Sequence, residues 1–240
     1  MSNEPTTIPI VALDYASATA ALDLVDELAD ACRFYKVGSE LFTAAGPDIV
    51  REVRRRGADV FLDLKFHDIP NTVAGGVRSA VSSGARLVTV HASGGRAMID
   101  AAVAAAGDSC GILAVTVLTS LNPGDVAIAW GRSNDVDVSA EVERLAGIAA
   151  SAGAHGVVCS GHEAVRVKRR FGGQLSILVP GVRTAGAGTQ DQSRVVTPRA
   201  AAEAGARYIV VGRMVTAAPN RRLAFSAVRD ELSLADASLA

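Results

Sequence analysis

Three charges fall within six residues of an otherwise apolar run: Asp63, Lys65 and Asp68 in Phe61-Leu62-Asp63-Leu64-Lys65-Phe66-His67-Asp68-Ile69-Pro70-Asn71-Thr72. Read as a strand, the segment turns Asp63 and Lys65 to one face and Leu62, Leu64 and Phe66 to the other. A carboxylate and an ammonium on the inward face of an apolar protein must either pair or react, because an unpaired buried charge is costly. The Asp-x-Lys pair alone reads equally well as a structural ion pair at a strand end. Asp68 just past the strand, with Thr72 opening a helix, tilts the reading towards chemistry: a held cation that stabilises developing negative charge or delivers a proton.

The elements that must position these groups are legible along the chain. Short β-branched runs recur at Ile8–Asp14, Arg33–Gly38, Val60–Phe66, Leu87–His91, Ile112–Thr119, Gly156–Ser160, Ile177–Pro180 and Tyr208–Gly212. Between them lie stretches of helical periodicity, among them Ala18–Ala29, Pro47–Arg56, Thr72–Ser82, Arg96–Ala106, Ala140–Ala152 and Pro198–Ala204. Thr197 before Pro198 suits an N-cap. Gly57, Gly84, Gly107, Gly153 and Gly205 each suit the position just past a helix. Eight strands alternating with helices over 240 residues predict an α/β protein, a single-domain (β/α)8 TIM barrel. An open doubly wound sheet would carry a glycine-rich first turn, and here that turn is Asp14-Tyr15-Ala16-Ser17. The domain spans residues 1–240, with 1–7 and about 232–240 expected as frayed tails.

In a barrel, the C-terminal strand ends build the active site. Polar residues gather there: Asp14 after the first strand, Lys36 on the second, and Asp63, Lys65 and Asp68 on and after the third. His91 closes the fourth, Thr119-Ser120 the fifth, Arg183 follows the seventh and Gly212-Arg213 ends the eighth. The last two loops are where barrels often hold phosphate, and Arg183 and Arg213 offer bidentate donors. The competing reading makes Gly212 a packing glycine and Arg213 a surface arginine. His91 suits either the site or a hydrogen-bonded core position.

Composition narrows the function. The net charge of −1 gives no global field for nucleic acid. The one dense basic cluster, Arg51, Arg54, Arg55 and Arg56, reads as a solvated helix face. No apolar run is long enough to span a bilayer. Residues 1–7 lack the positive region and the apolar stretch of a signal peptide, and Cys32, Cys110 and Cys159 show no Cys-x-x-Cys spacing. A cytoplasmic protein with reduced thiols is expected. His155 and His162 have no partner at metal spacing.

With these residues in view, the chain resembles the orotidine 5′-phosphate decarboxylase family, bacterial type, over roughly Ile10 to Val215. The match is most specific from Asp63 to Thr72, which follows the family's Asp-x-Lys-x-x-Asp signature. Ala12-Leu13-Asp14, Lys36-Val37-Gly38, Val117-Leu118-Thr119-Ser120, Pro180-Gly181-Val182-Arg183, Asp191-Gln192 and Gly212-Arg213 support it. The resemblance implies decarboxylation of orotidine 5′-phosphate to UMP without metal or cofactor. It makes Lys65 the proton donor within an alternating array of Lys36, Asp63, Lys65 and Asp68. It gives Asp14 and Lys36 to the ribose hydroxyls, Thr119 to the pyrimidine, and Gln192, Arg213, Gly212 and Arg183 to the phosphate. It further implies a homodimer in which Asp68 and Thr72 enter the neighbouring subunit's site. Ser39 and Thr184 depart from the family's usual lysine and proline. Two other readings stand beside this one: a magnesium-dependent sugar-phosphate aldolase or decarboxylase of the same superfamily, and an inactive nucleotide-binding barrel. The former typically carries a glutamate near the end of the second strand, where this chain has Lys36.

Overall fold

The computed structural model describes residues 6–132, 136–183 and 196–239. Gln192, with Asp191 and Thr184, lies outside the described residues. Among these the chain alternates strand and helix. The order is β1 (Ile8–Ala12), α1 (Ala18–Leu28), β2 (Phe34–Gly38), α2 (Ser39–Ala45), α3 (Asp48–Arg55), β3 (Asp59–Phe66), α4 (Pro70–Ser82), β4 (Leu87–His91), α5 (Arg96–Ala106), β5 (Gly111–Val115) and α6 (Pro123–Ala129). It continues with α7 (Val138–Ser151), β6 (Gly156–Val158), α8 (Gly161–Phe171), β7 (Ser176–Val182), α9 (Pro198–Glu203), β8 (Tyr208–Val211), α10 (Arg213–Thr216) and α11 (Arg221–Leu239). All eight strands are parallel, each pairs with the next, and β8 closes on β1. The expected (β/α)8 barrel is the observed fold.

Strand periodicity sorts the apolar residues into two layers. Ile10, Ala12, Phe34, Phe61, Leu87, Leu113, Val115, Val158, Leu178, Tyr208 and Val210 pack inside the barrel. Their sequence neighbours, such as Val11, Tyr35, Leu62, Val88 and Ile209, join the helices in the outer layer. Strands buried on both faces explain the near-continuous apolar runs. Each large side chain so buried is worth roughly 1.5–3 kcal/mol, against roughly 0–1 kcal/mol for an exposed ion pair. The barrel is therefore held by its two apolar layers, which leaves the charges at its mouth available for another purpose.

Helix ends follow the expected chemistry. Thr197 accepts a hydrogen bond from the Ala200 N–H as N-cap of α9. Gly57, Gly84, Gly107, Gly153 and Gly205 all take positive φ, a backbone that side-chain-bearing residues rarely adopt. Arg51, Arg54, Arg55 and Arg56 pair with Asp48, Asp59, Glu52 and Asp26 respectively on an exposed face. Residues 232–239, expected as a tail, are the last turns of α11, with Leu232 and Ala235 buried. Asp236 also accepts hydrogen bonds from the Thr6 N–H and hydroxyl, tying the two ends of the fold together. No helix among the described residues is long and apolar enough to cross a membrane.

Candidate active site

Going up the inward face of each strand, apolar side chains give way to polar ones at the C-terminal end. On β2, Phe34 is followed by Lys36, whose ammonium donates to Asp14 Oδ1 at 2.8 Å. Gly38 leaves room for that pair, because a Cβ there would sit 3.0 Å from Lys36 Nζ and 3.6 Å from Asp14 Oδ1. On β3, Phe61 is followed by Asp63 and Lys65. The Lys65 ammonium donates to both carboxylate oxygens of Asp63, each at 2.9 Å. The Asp63 side chain is 14% exposed and that of Lys65 39%, so the cation is held on the carboxylate yet remains open to the cavity.

The backbone beneath this pair is irregular. Leu62 pairs with Val88, but the next pairing is Phe66 with Val90, so β3 carries extra residues where β4 offers only Thr89. Lys65 sits at φ +50°, one of two non-glycine residues with positive φ among those described. Such a conformation costs on the order of 1–3 kcal/mol and persists only where its surroundings enforce it. Thr89 is fully buried; its hydroxyl accepts from the Lys65 N–H at 2.9 Å and donates to Asp63 Oδ1 at 3.0 Å.

The mouth encloses a cavity of about 560 Å³, within the range of small-molecule sites. Asp14, Lys36, Asp63, Lys65 and Thr119 line it, and so do Arg183, Gly212 and Arg213. Phe61, Val115, Val158, Leu178 and Val210, members of the inner layer, give it an apolar floor. Gly181 takes φ +69° where β7 loses register beside β8, which turns the chain at Arg183. A Cβ on Gly212 would meet nothing within 4 Å. Packing does not explain that glycine, and a ligand could approach its backbone closely.

Eight of the sequence-derived candidates thus line one cavity. Asp68 and Thr72 do not: both are exposed at the start of α4, and Asp68 Oδ1 accepts from the Ile69 N–H at 2.6 Å. Sequence reasoning missed Thr89 and Thr216, the latter also in the cavity wall. Thr216 lies four residues past Gly212, one helical turn on, and that spacing was the available signal. His91 is half-buried, its ring 5.2 Å from that of His67. Burial, then the nearby His67 and Lys65, holds its pKa below the ordinary histidine value, with Asp63 opposing. A larger cavity of about 700 Å³ opens at the opposite end of the barrel, lined by Arg33, Arg86, Arg207 and Arg229. It lies at the N-terminal mouth, the end that in barrels serves stability, and holds none of the candidate residues. Among the described residues no three His, Cys, Asp or Glu side chains gather as a metal-binding group.

Fold and mouth together define a (β/α)8-barrel enzyme whose cavity sets a lysine–carboxylate pair in the same space as two arginines. The sequence model of the family described as orotidine 5′-phosphate decarboxylase / HUMPS matches residues 7–228, and the chain belongs to that family. It is 44% identical over 239 residues to the orotidine 5′-phosphate decarboxylase of Shewanella sediminis, covering 98% of this chain and 99% of that protein. To the protein of the same name from Anaeromyxobacter sp. it is 49% identical over 217 residues, covering 90% and 94%. The crystal structure of orotidine 5′-phosphate decarboxylase from Lactobacillus acidophilus superposes with a TM-score of 0.82 at 35% identity, covering 94% of this chain and 99% of that one.

Proposed function

We propose that this chain decarboxylates orotidine 5′-phosphate to UMP, with Lys65 protonating C6 and no metal or cofactor taking part. The observation that carries this reading is the Lys65 ammonium, bidentate on Asp63, in one cavity with Arg183, Gly212 and Arg213. Loss of CO₂ from C6 leaves a carbanion with no adjacent electron sink. A cation already in place lowers the cost of that charge and then supplies the proton. Asp63 beside the substrate carboxylate repels it in the ground state, and the repulsion is relieved as CO₂ departs. Asp14 and Lys36 suit the ribose hydroxyls, Thr119 the pyrimidine edge, and Arg183, Arg213, Gln192 and the Gly212 N–H the phosphate. Binding the phosphate far from C6 supplies energy that can organise the site.

Asp68 and Thr72 serve a second copy of the chain in this account. Both are exposed and outside their own cavity, and Ile69 between them is an exposed large apolar residue at 67%. Contributed across a two-fold interface, Asp68 completes the array of Lys36, Asp63 and Lys65. The cytoplasm is the proposed compartment, in keeping with three buried cysteines, two of whose thiols burial pushes up to about 11.

The family description also covers the sugar-phosphate branch, so the alternative of a magnesium-dependent aldolase or decarboxylase is a real one. Lys36 argues against it, because an ammonium bound to Asp14 stands where that chemistry typically uses a glutamate. An inactive nucleotide-binding barrel would have no need of the bidentate Asp63–Lys65 pair. The test is to mix the protein with orotidine 5′-phosphate and EDTA and follow the fall in ultraviolet absorbance. Turnover undiminished by EDTA is expected. Absence of turnover overturns the reading, and turnover lost to EDTA and restored by Mg²⁺ favours the metal-dependent branch.

A further inference from the structure

We propose that Thr89 is a positioning residue for the reaction: its hydroxyl stands in for a missing ladder partner of β3 and thereby fixes Lys65 and Asp63 relative to one another. The inference rests on the decarboxylase reading for its kinetic consequence, while its geometry stands independently. Between the pairs Leu62↔Val88 and Phe66↔Val90, three residues of β3 face one residue of β4. The ladder cannot continue through such a mismatch, so the Lys65 N–H turns to a side chain, the Thr89 hydroxyl at 2.9 Å. That hydroxyl has one proton to give, and it goes to Asp63 Oδ1 at 3.0 Å.

Thr89 is 0% exposed, so its hydroxyl serves these two bonds and not solvent. Both ends of the Lys65–Asp63 ion pair are therefore bound to one buried oxygen, Lys65 through its backbone and Asp63 through its carboxylate. The arrangement accounts for a lysine at φ +50° one residue before the end of β3. A left-handed backbone at that point carries the side chain back over Asp63, and the Thr89 bond enforces the conformation. Nothing about Thr89 as a residue type signals this. Its neighbours Val88 and Val90 are outer-layer packing residues, and its inward position follows only from alternation along β4.

The discriminating variant is Thr89→Val, which keeps the shape and removes the hydroxyl. It is expected to lower kcat by about 10- to 100-fold, the scale of a displaced catalytic group. The affinity for UMP, which engages ribose and phosphate groups remote from Thr89, is expected to stay within about threefold of wild type. Thr89→Ser, which restores the hydroxyl, is expected to return kcat to within about threefold. Amide hydrogen exchange reads the bond itself without turnover: the Lys65 N–H is protected in wild type and Thr89→Ser and exchanges at least about tenfold faster in Thr89→Val. If Thr89→Val does not fold, Thr89→Cys, with a weaker donor of similar size, is expected to show the same split at smaller amplitude. Unchanged Lys65 exchange, unchanged kcat, or a parallel loss of kcat and UMP affinity overturns the proposal. A wild-type protein without turnover overturns the decarboxylase reading instead, and the exchange experiment still decides the role of Thr89.

Discussion

Lys65→Ala is expected to leave a folded barrel that no longer turns over. In the proposed mechanism two effects vanish together. One is the proton donor, which as a general acid contributes typically 10²–10⁴-fold, and the other is the cation facing the carbanion, whose loss costs a further 10²–10³-fold in comparable sites. A fall in kcat of about 10⁴-fold or more follows. The fold should survive, because Lys65 is 39% exposed and Asp63 keeps the hydrogen bond from Thr89 once the ammonium is gone. The alanine keeps the Cβ at this positive-φ position and leaves in place the Thr89 hydroxyl that enforces the conformation. Steady-state kinetics beside a thermal melt checks both halves. A near-normal kcat refutes the proton-donor role, and a collapsed melt would mean that Lys65 is structural after all.

The second large effect is a gain. Asp68→Ala and Lys65→Ala proteins, each inactive alone, are expected to regain activity when mixed and allowed to exchange subunits. In a two-fold dimer whose sites each combine Lys65 of one chain with Asp68 of the other, a mixed dimer carries one intact site and one doubly damaged site. Random exchange makes half the dimers mixed, so about a quarter of wild-type activity returns. If Asp68 acted within its own chain, no mixed dimer would hold an intact site and nothing would return. Demonstrated exchange without restored activity therefore contradicts the shared site. The family resemblance makes this outcome expected, and it agrees with Asp68 being exposed and turned onto the Ile69 N–H outside the cavity that holds Lys65.

Much of the molecule could be read from its residues. Evenly spaced β-branched runs bounded by glycines that take positive φ were sufficient for the barrel, because closed parallel sheets bury both strand faces. The helices that went unread had weaker signals. α8 begins Gly161-His162 and ends in a basic run, and its start is marked by a capping box between Ser160 and Glu163 rather than by an apolar repeat. The end of α11, residues 232–239, is rich in alanine and serine and resembles a tail until Leu232 and Ala235 are seen to be buried. At the mouth, a spacing of two was enough to put Asp63 and Lys65 together. What alternation could not supply is the break in register beneath them, and with it the left-handed Lys65 and the role of Thr89. Those depend on how β3 meets β4, a relation between segments that neither segment states alone. The proposed placement of Asp68 across an interface likewise involves a second chain, and that proposal rests on the family resemblance and not on the residues alone.

The central claim is metal-free loss of CO₂ from C6 with protonation at the same carbon. Its most direct test is incubation of the protein with orotidine 5′-phosphate in D₂O containing EDTA, with the product read by proton NMR. The expected product is UMP with deuterium at C6, so that the H6 resonance is missing while H5 remains as a singlet. Substrate recovered unchanged from that mixture would contradict the account.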